Sequence, residues 1–312
     1  MISVIIPSYN RADLIGETLE SLIAQTHTDW ECIVVDDNSK DDTVKIVESY
    51  ARKDSRFHCF KKPLSLPKGP SASRNFGLTK ARGAFINWLD SDDLMHPEKM
   101  TRDLEAINSG DYDFTVCQSK FFTKTGDETE KDYWNNEVWS SDPICDFILK
   151  NIGWSTNAPL WRQSSLAEVN LVFDEELITA EDFFYHLQAL KFELKPKVCD
   201  QILIYQREHP NRLNEFQKKS PFKLKVFSAL LQDDFKPLLN EQTLNHISKV
   251  LIRQFSNLLK HKDLTLARVY RKKLNRLLPE YKSEFDRLYR VGKLYKFTGR
   301  FYSRLNPIID VK

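Results

Sequence analysis

The chain has 312 residues, 41% of them hydrophobic and 29% charged, which is enough for about two domains with a real buried core. Its five cysteines, Cys32, Cys59, Cys117, Cys145 and Cys199, stand at least 27 residues apart, which excludes a Cys-x-x-Cys metal or redox motif and argues for a reducing compartment. The net charge of +2 conceals a split: residues 1–210 hold 23 Lys+Arg against 35 Asp+Glu, and residues 211–312 hold 23 against 9.

The first elements alternate. Residues 3–7, Ser-Val-Ile-Ile-Pro, form a β-branched run closed by proline and predict a buried strand. Leu14, Ile15, Thr18, Leu19, Leu22 and Ile23 fall on one face of a helix. Residues 31–35 predict a second strand, 36–39 a turn, 44–50 a second helix and 57–61 a third strand. Residues 63–73, with Pro63, Pro67, Gly69 and Pro70, read as a loop. Residues 75–81 then read as helix and 85–89 as another buried strand. A strand-to-strand repeat of about 30 residues is that of a βαβ unit, so the expected class is α/β with a largely parallel sheet. Further on, residues 124–129 read as a hairpin turn, 183–190 as helix and 201–205 as strand. Beyond residue 215 the alternation stops, and helices are expected over 222–231, 238–259, 264–278 and 280–302.

Several function classes lack their motifs. There is no Gly-x-Gly pair, and the only Gly-Lys, Gly292-Lys293, is followed by Leu294, so neither a dinucleotide fingerprint nor a Walker loop is present. No run of 18 apolar residues occurs, and Met1–Asn10 has no basic leader, so neither a spanning helix nor a secretory leader is expected.

Parallel sheets bind ligands outside the carboxyl ends of their strands. Pro7-Ser-Tyr-Asn10, Asp36-Asp37 and Asp90-Ser-Asp-Asp93 follow three of the predicted strands, delivering an aromatic ring and several carboxylates to one edge. Carboxylates gathered there need a positive partner. A divalent cation is the simplest, and hard oxygen ligands select magnesium or manganese.

These segments carry a resemblance. Val4-Ile-Ile-Pro-Ser-Tyr-Asn10, Val34-Val-Asp-Asp-Asn-Ser39, Ser73-Arg-Asn-Phe-Gly77 and Trp88-Leu-Asp-Ser-Asp-Asp93 are similar to successive motifs of the family-2 glycosyltransferases. Gly153-Trp-Ser-Thr156 with Leu160-Trp-Arg162, and Thr179-Ala-Glu-Asp-Phe-Phe184, continue the series, so the resemblance covers roughly residues 1–210. It implies a GT-A fold over residues 1–215, with a nucleotide-binding half at 1–95 and an acceptor half at 96–215; the charge and helical pattern of residues 216–312 separately mark a basic helical region. It also implies inverting transfer of a sugar from a nucleotide-sugar, usually with Mn2+ or Mg2+.

The resemblance assigns roles by position. Tyr9 would stack on the base, with Pro7 shaping the turn beside it and Asn10 among the nucleotide-binding residues. Asp37 matches the carboxylate that accepts from the base imide, which favours uracil; the alternative is a helix cap. Arg74 would meet the diphosphate, the alternative being an ion pair with the Asp90 cluster. Asp92 is the first metal candidate, Asp90 the second, with the sugar or ribose of the bound nucleotide-sugar as its alternative partner, and Asp93 the third. Asp182 matches the catalytic base, beside Glu181; the alternative is an ordinary acidic first turn. His209 matches a histidine that reaches the metal or phosphates, the alternative being a surface residue; Arg207 and Arg212 offer further diphosphate partners. Trp154, Ser155 and Thr156 match the acceptor-side loop, with a core aromatic as the other reading of Trp154.

Arg287, Arg290, Lys293, Lys296, Arg300 and Arg304 recur every three or four residues, with aromatics between them. Such a segment reads as a membrane-surface element, so residues 280–305 are expected to meet an anionic membrane rather than nucleic acid. The function expected is a metal-dependent transferase working at the inner face of the cell membrane. Its donor would be a nucleotide-sugar, UDP-linked by the Asp37 reading, and its acceptor a glycan or lipid-linked glycan for surface polysaccharide or glycolipid. An idle sugar-nucleotide or lipid-docking module and a nucleotidyltransferase are the alternatives.

Overall fold

The computed structural model describes residues 1–123, 128–133, 135–208, 220–232 and 234–307, the backbone alone at 128–133. The chain divides into two compact units, residues 1–212 and 213–312.

In the first unit, β1 (Ile2–Ser8), α1 (Ile15–Ile23), β2 (Trp30–Asp36), α2 (Thr43–Lys53), β3 (Phe57–Lys61), α3 (Pro70–Leu78) and β4 (Phe85–Trp88) alternate as expected. All seven residues of β1 and of β2 are buried, the pattern of strands covered on both faces. β1 lies between β2 and β4, parallel to both, and β3 closes this side of the sheet. β1 tolerates Pro7 because its pairing with β4 ends at Ile5, so the missing N–H falls beyond the last pair. Gly77 lets α3 approach the sheet: a Cβ there would come within 2.4 Å of Ile5.

The expected loop at 63–73 is shorter than predicted. α3 starts at Pro70, five residues before the predicted helix. Gly69 makes the turn with φ 117°, and Pro70 takes the first helical position, where its fixed φ suits and its missing N–H costs nothing.

The second half of this unit carries β5 (Leu94–Met95), α4 (Lys99–Ile107), β6 (Phe114–Phe122), β7 (Glu128–Tyr133), α5 (Pro143–Leu149), β8 (Leu160–Arg162), α6 (Gln163–Glu168), α7 (Glu181–Lys191) and β9 (Pro196–Arg207). The sheet runs β3-β2-β1-β4-β8-β6-β9-β5, with β7 pairing β6. β8 sits antiparallel between β4 and β6, so the sheet is mixed, although most of its paired residues run parallel. The tip of the expected 124–129 hairpin lies mostly outside the described residues; its strands β6 and β7 pair antiparallel.

The second unit is helical: α8 (Ser220–Ala229), α9 (Glu241–Lys260), α10 (Leu264–Leu277) and α11 (Lys282–Thr298). Asn240 caps α9 by accepting from Thr243 N at 2.9 Å. Ile247, Leu251, Phe255 and Leu259 of α9 are fully buried, and Phe255 meets Phe285 of α11 edge-to-face at 5.5 Å. Among the described residues, no helix is long and apolar enough to cross a membrane.

Candidate active site

Because β1, β2 and β4 run parallel, the segments after them emerge at one edge. Asn10 turns back with φ 51°, donates its N–H to Ser39 Oγ at 2.9 Å, and accepts from Lys40 N at 2.8 Å through its side chain. Asp37 N donates to Ser8 O at 2.8 Å, and Arg11 N to Thr43 Oγ1 at 2.8 Å. Tyr9 is held above this knot with 51% of its surface exposed, while Pro7 is buried beneath it.

Asp37 does not cap a helix. Its Oδ2 accepts from Gly69 N at 2.8 Å, and its Oδ1 lies 2.8 Å from Lys62 Nζ. Lys62 is 1% exposed and also donates to Pro67 O at 2.6 Å. A buried ammonium of this kind ties the end of β2 to the loop that leads into α3. Sequence reading passed over Lys62; its one signal is its place directly after β3.

The Asp90–Asp93 turn divides its three carboxylates. Asp90 accepts from Arg74 Nη2 at 2.7 Å and keeps a side chain 31% exposed. Asp92 lies 3.4 Å from Arg11 Nε, a second cation the sequence reading missed. Asp93, the third metal candidate, is fully buried: it accepts from Asn157 Nδ2 at 2.7 Å and Arg207 N at 2.9 Å. Asn157 Oδ1 also accepts from Asp90 N at 2.9 Å, so this one amide braces both ends of the turn. Arg207, expected as a further diphosphate partner, is 2% exposed; its Nε donates to Asp92 O at 3.0 Å and its Nη2 to Glu17 at 2.6 Å.

Among the described residues no three His, Cys, Asp or Glu gather into a metal cage. Asp90 and Asp92 nevertheless present hard oxygen donors two residues apart on one turn. That set suits magnesium or manganese, which take one or two carboxylates and complete their shell with water and substrate phosphates. His209 and Arg212 lie outside the described residues.

Helix α7 brings the last pair. Ala180 enters with φ 62°, and Glu181 and Asp182 occupy the first turn, where the helix dipole favours negative charge. Arg74 Nη1 lies 3.6 Å from Glu181 Oε1. Arg74 is 3% exposed and packs over Phe173, its guanidinium carbon 5.0 Å from the ring centre. The arginine thus takes the ion-pair alternative with Asp90 and adds Glu181 to it. Burial pushes the Glu181 carboxyl up, and the neighbouring Asp182 adds to this against the pull of Arg74, to about 7. Burial raises Asp182 as well, although Phe183 N donates to it at 2.7 Å.

The acceptor-side candidates are not at a surface. Trp154, Ser155 and Thr156 are 3%, 1% and 5% exposed. Trp154 packs against Phe147 at 4.7 Å and His186 at 5.4 Å, the core-aromatic alternative. Ser155 Oγ is 2.8 Å from Ser119 Oγ. These residues shape the wall behind α7 and offer no face to a sugar ring in this structure. His186, one helical turn after Asp182, is 1% exposed, and burial lowers its pKa to about 3, so it stays neutral.

A family model described as glycosyl transferase family 2 matches residues 3–165. An uncharacterized glycosyltransferase, EpsJ of Bacillus subtilis, is 29% identical over 226 residues, 70% of this chain and 64% of its own. The chain therefore spans less than two thirds of that relative. The Escherichia coli protein WfaP, named as a UDP-Glc:alpha-D-GlcNAc-diphosphoundecaprenol beta-1,3-glucosyltransferase, is 29% identical over 222 residues, 70% of this chain and 82% of its own. Among solved structures, S. aureus TarS 1-349 in complex with UDP matches with a TM-score of 0.61 at 23% identity, covering 100% of this chain and 95% of that one.

Proposed function

The chain belongs to glycosyl transferase family 2, with a fold of the GT-A type, and we propose that it is an inverting enzyme moving a sugar from a UDP-sugar to a glycan or lipid-linked acceptor. The observation that carries this reading is the buried Arg74, whose guanidinium touches Asp90 on the donor side and Glu181 beside Asp182 on the other. It brings a candidate diphosphate-binding turn and a candidate base to one cation.

In this reading Tyr9 stacks on the uracil, and Asp37, held by Lys62 and Gly69 N, accepts the base imide N–H. Asp182 takes the proton of the acceptor hydroxyl. The oxygen attacks the anomeric carbon from the face opposite the diphosphate, and the bond to UDP breaks as the new glycosidic bond forms, inverting the centre. Asp90 and Asp92 would hold a manganese or magnesium ion, which would neutralise negative charge on the leaving diphosphate. Asn157 and Arg207 fix the turn that presents both carboxylates.

WfaP is named for a UDP-linked donor and a diphosphoundecaprenol-linked acceptor, which supports a similar substrate class here. The same reading puts the enzyme at the inner face of the cell membrane, in surface polysaccharide or glycolipid synthesis.

The test is a thermal-shift panel of UDP, GDP, CMP and UDP-sugars, each with and without manganese. A ligand that binds only the folded state raises the melting midpoint. A manganese-dependent shift with UDP species, lost in Asp37→Ala and in Asp92→Ala, is the expected result. A folded protein that shifts with no nucleotide overturns the reading.

A further inference from the structure

We propose that the exposed end of α11 and the turn after it form a docking surface for an anionic lipid bilayer. This deepens the membrane location given above by naming the surface that would make the contact.

The two faces of α11 differ. Phe285, Leu288, Tyr289 and Gly292 point inward, and Gly292 lets Leu259 of α9 come so close that a Cβ would meet it at 2.7 Å. Arg290, Lys293, Leu294 and Phe297 follow the same 0-3-4-7 spacing on the opposite side and are exposed. Phe297 is 82% exposed, Leu294 52%, Tyr302 53% and Phe301 37%. Phenylalanine is among the residues most often buried, so a run of apolar side chains left in water at one helix end is a feature to be explained.

Cations surround these apolar groups. Lys296, Arg300 and Arg304 are exposed beside them. From the end of α9, the Lys260 ammonium lies 5.4 Å from the Tyr302 ring centre; that of Lys262, just beyond, lies 4.9 Å from Tyr295. No Asp or Glu occurs from residue 287 to 307.

This composition selects the occupant. The positive field asks for a polyanion. The apolar groups ask for a medium that takes them out of water, and phosphate backbones alone do not provide one. A second copy of the same face would set like charges against each other. An anionic bilayer meets both demands, with headgroups for the amines and an acyl boundary for Phe297 and Leu294.

The full chain is floated with vesicles of phosphatidylcholine, alone or mixed with phosphatidylglycerol, at low and high salt. The variants are Leu294→Ser/Phe297→Ser and Lys293→Glu/Lys296→Glu, all at exposed positions, with circular dichroism as the folding control. Binding to the anionic vesicles alone, weakened roughly tenfold or more by either pair, supports the assignment. Equal flotation with both vesicle types, no flotation, or wild-type behaviour of both folded variants overturns it. So does tighter binding to a random single-stranded oligonucleotide than to the anionic vesicles, or a dimer that the Leu294→Ser/Phe297→Ser variant abolishes. The UDP melting shift of both variants stays as in the wild type, which separates failure of this surface from failure of the donor reading.

Discussion

Arg74 Nη2 lies 2.7 Å from Asp90 Oδ1, joining a residue of α3 to the turn after β4 in one ion pair. Burial opposes the charge on Arg74, but Asp90, Glu181 and Asp182 outweigh it and raise its pKa. Removing the guanidinium leaves those carboxylates facing one another. Arg74→Ala should destabilise the fold by about 2–4 kcal/mol, about 1 kcal/mol less than breaking a fully buried pair, because Asp90 reaches solvent. Arg74→Lys keeps the charge but loses the fork and should lie between. Urea unfolding measures both; an alanine variant as stable as the parent contradicts the linkage.

Asp182→Asn tests the base directly. Turnover should fall by ~10²–10⁴, while the UDP-induced melting shift stays as in the parent. Near-normal turnover removes Asp182 from the role.

The pH profile follows from the raised carboxyls. With Asp182 in its proposed role as base, which works only when ionised, kcat/KM should fall as pH drops through the folded-state pKa of the pair. That acid limb should sit above the ordinary carboxylate value of about 4, since burial raises both groups and Glu181 lies at about 7. The observed value belongs to the pair rather than to either residue. Glu181→Gln removes a neighbouring negative charge and should move the limb to lower pH. A limb near the ordinary value in the parent would contradict the raised pair.

Lys62→Met separates positioning from chemistry. Without the ammonium, Asp37 keeps only the Gly69 N–H among these two partners. UDP affinity should weaken by roughly 5–150-fold, the equivalent of about 1–3 kcal/mol, while turnover at saturating donor stays close to normal. Calorimetry gives the first quantity and initial rates the second; unchanged affinity would show that the lysine does not hold the base site.

Much of the rim was legible because buried parallel strands are continuous apolar runs, and the polar residues that end them stand out. β1, β2 and β4, with Tyr9, Asp37 and Asp90 after them, were found this way. The start of α3 was missed because Gly69 and Pro70 carry loop chemistry and helix-start chemistry alike. Trp154 was ambiguous because a large ring suits a sugar or a core equally well, and only the packing of Phe147 and His186 decides. Asp93 looked like its two neighbours. Its burial depends on Asn157 and Arg207, partners 64 and 114 residues away that no local pattern reveals.

The hydrogen bonds that run through Asn10 have a thermodynamic consequence for ligand capture. They join the β1 and β2 loops at Ser39 and Lys40, so the ordering of both segments accompanies folding rather than binding. A nucleoside that binds there, as proposed, meets a rigid template and freezes little additional backbone. Its association should then register chiefly as water leaving the exposed Tyr9 ring, with a negative heat-capacity change and little entropic penalty from the protein.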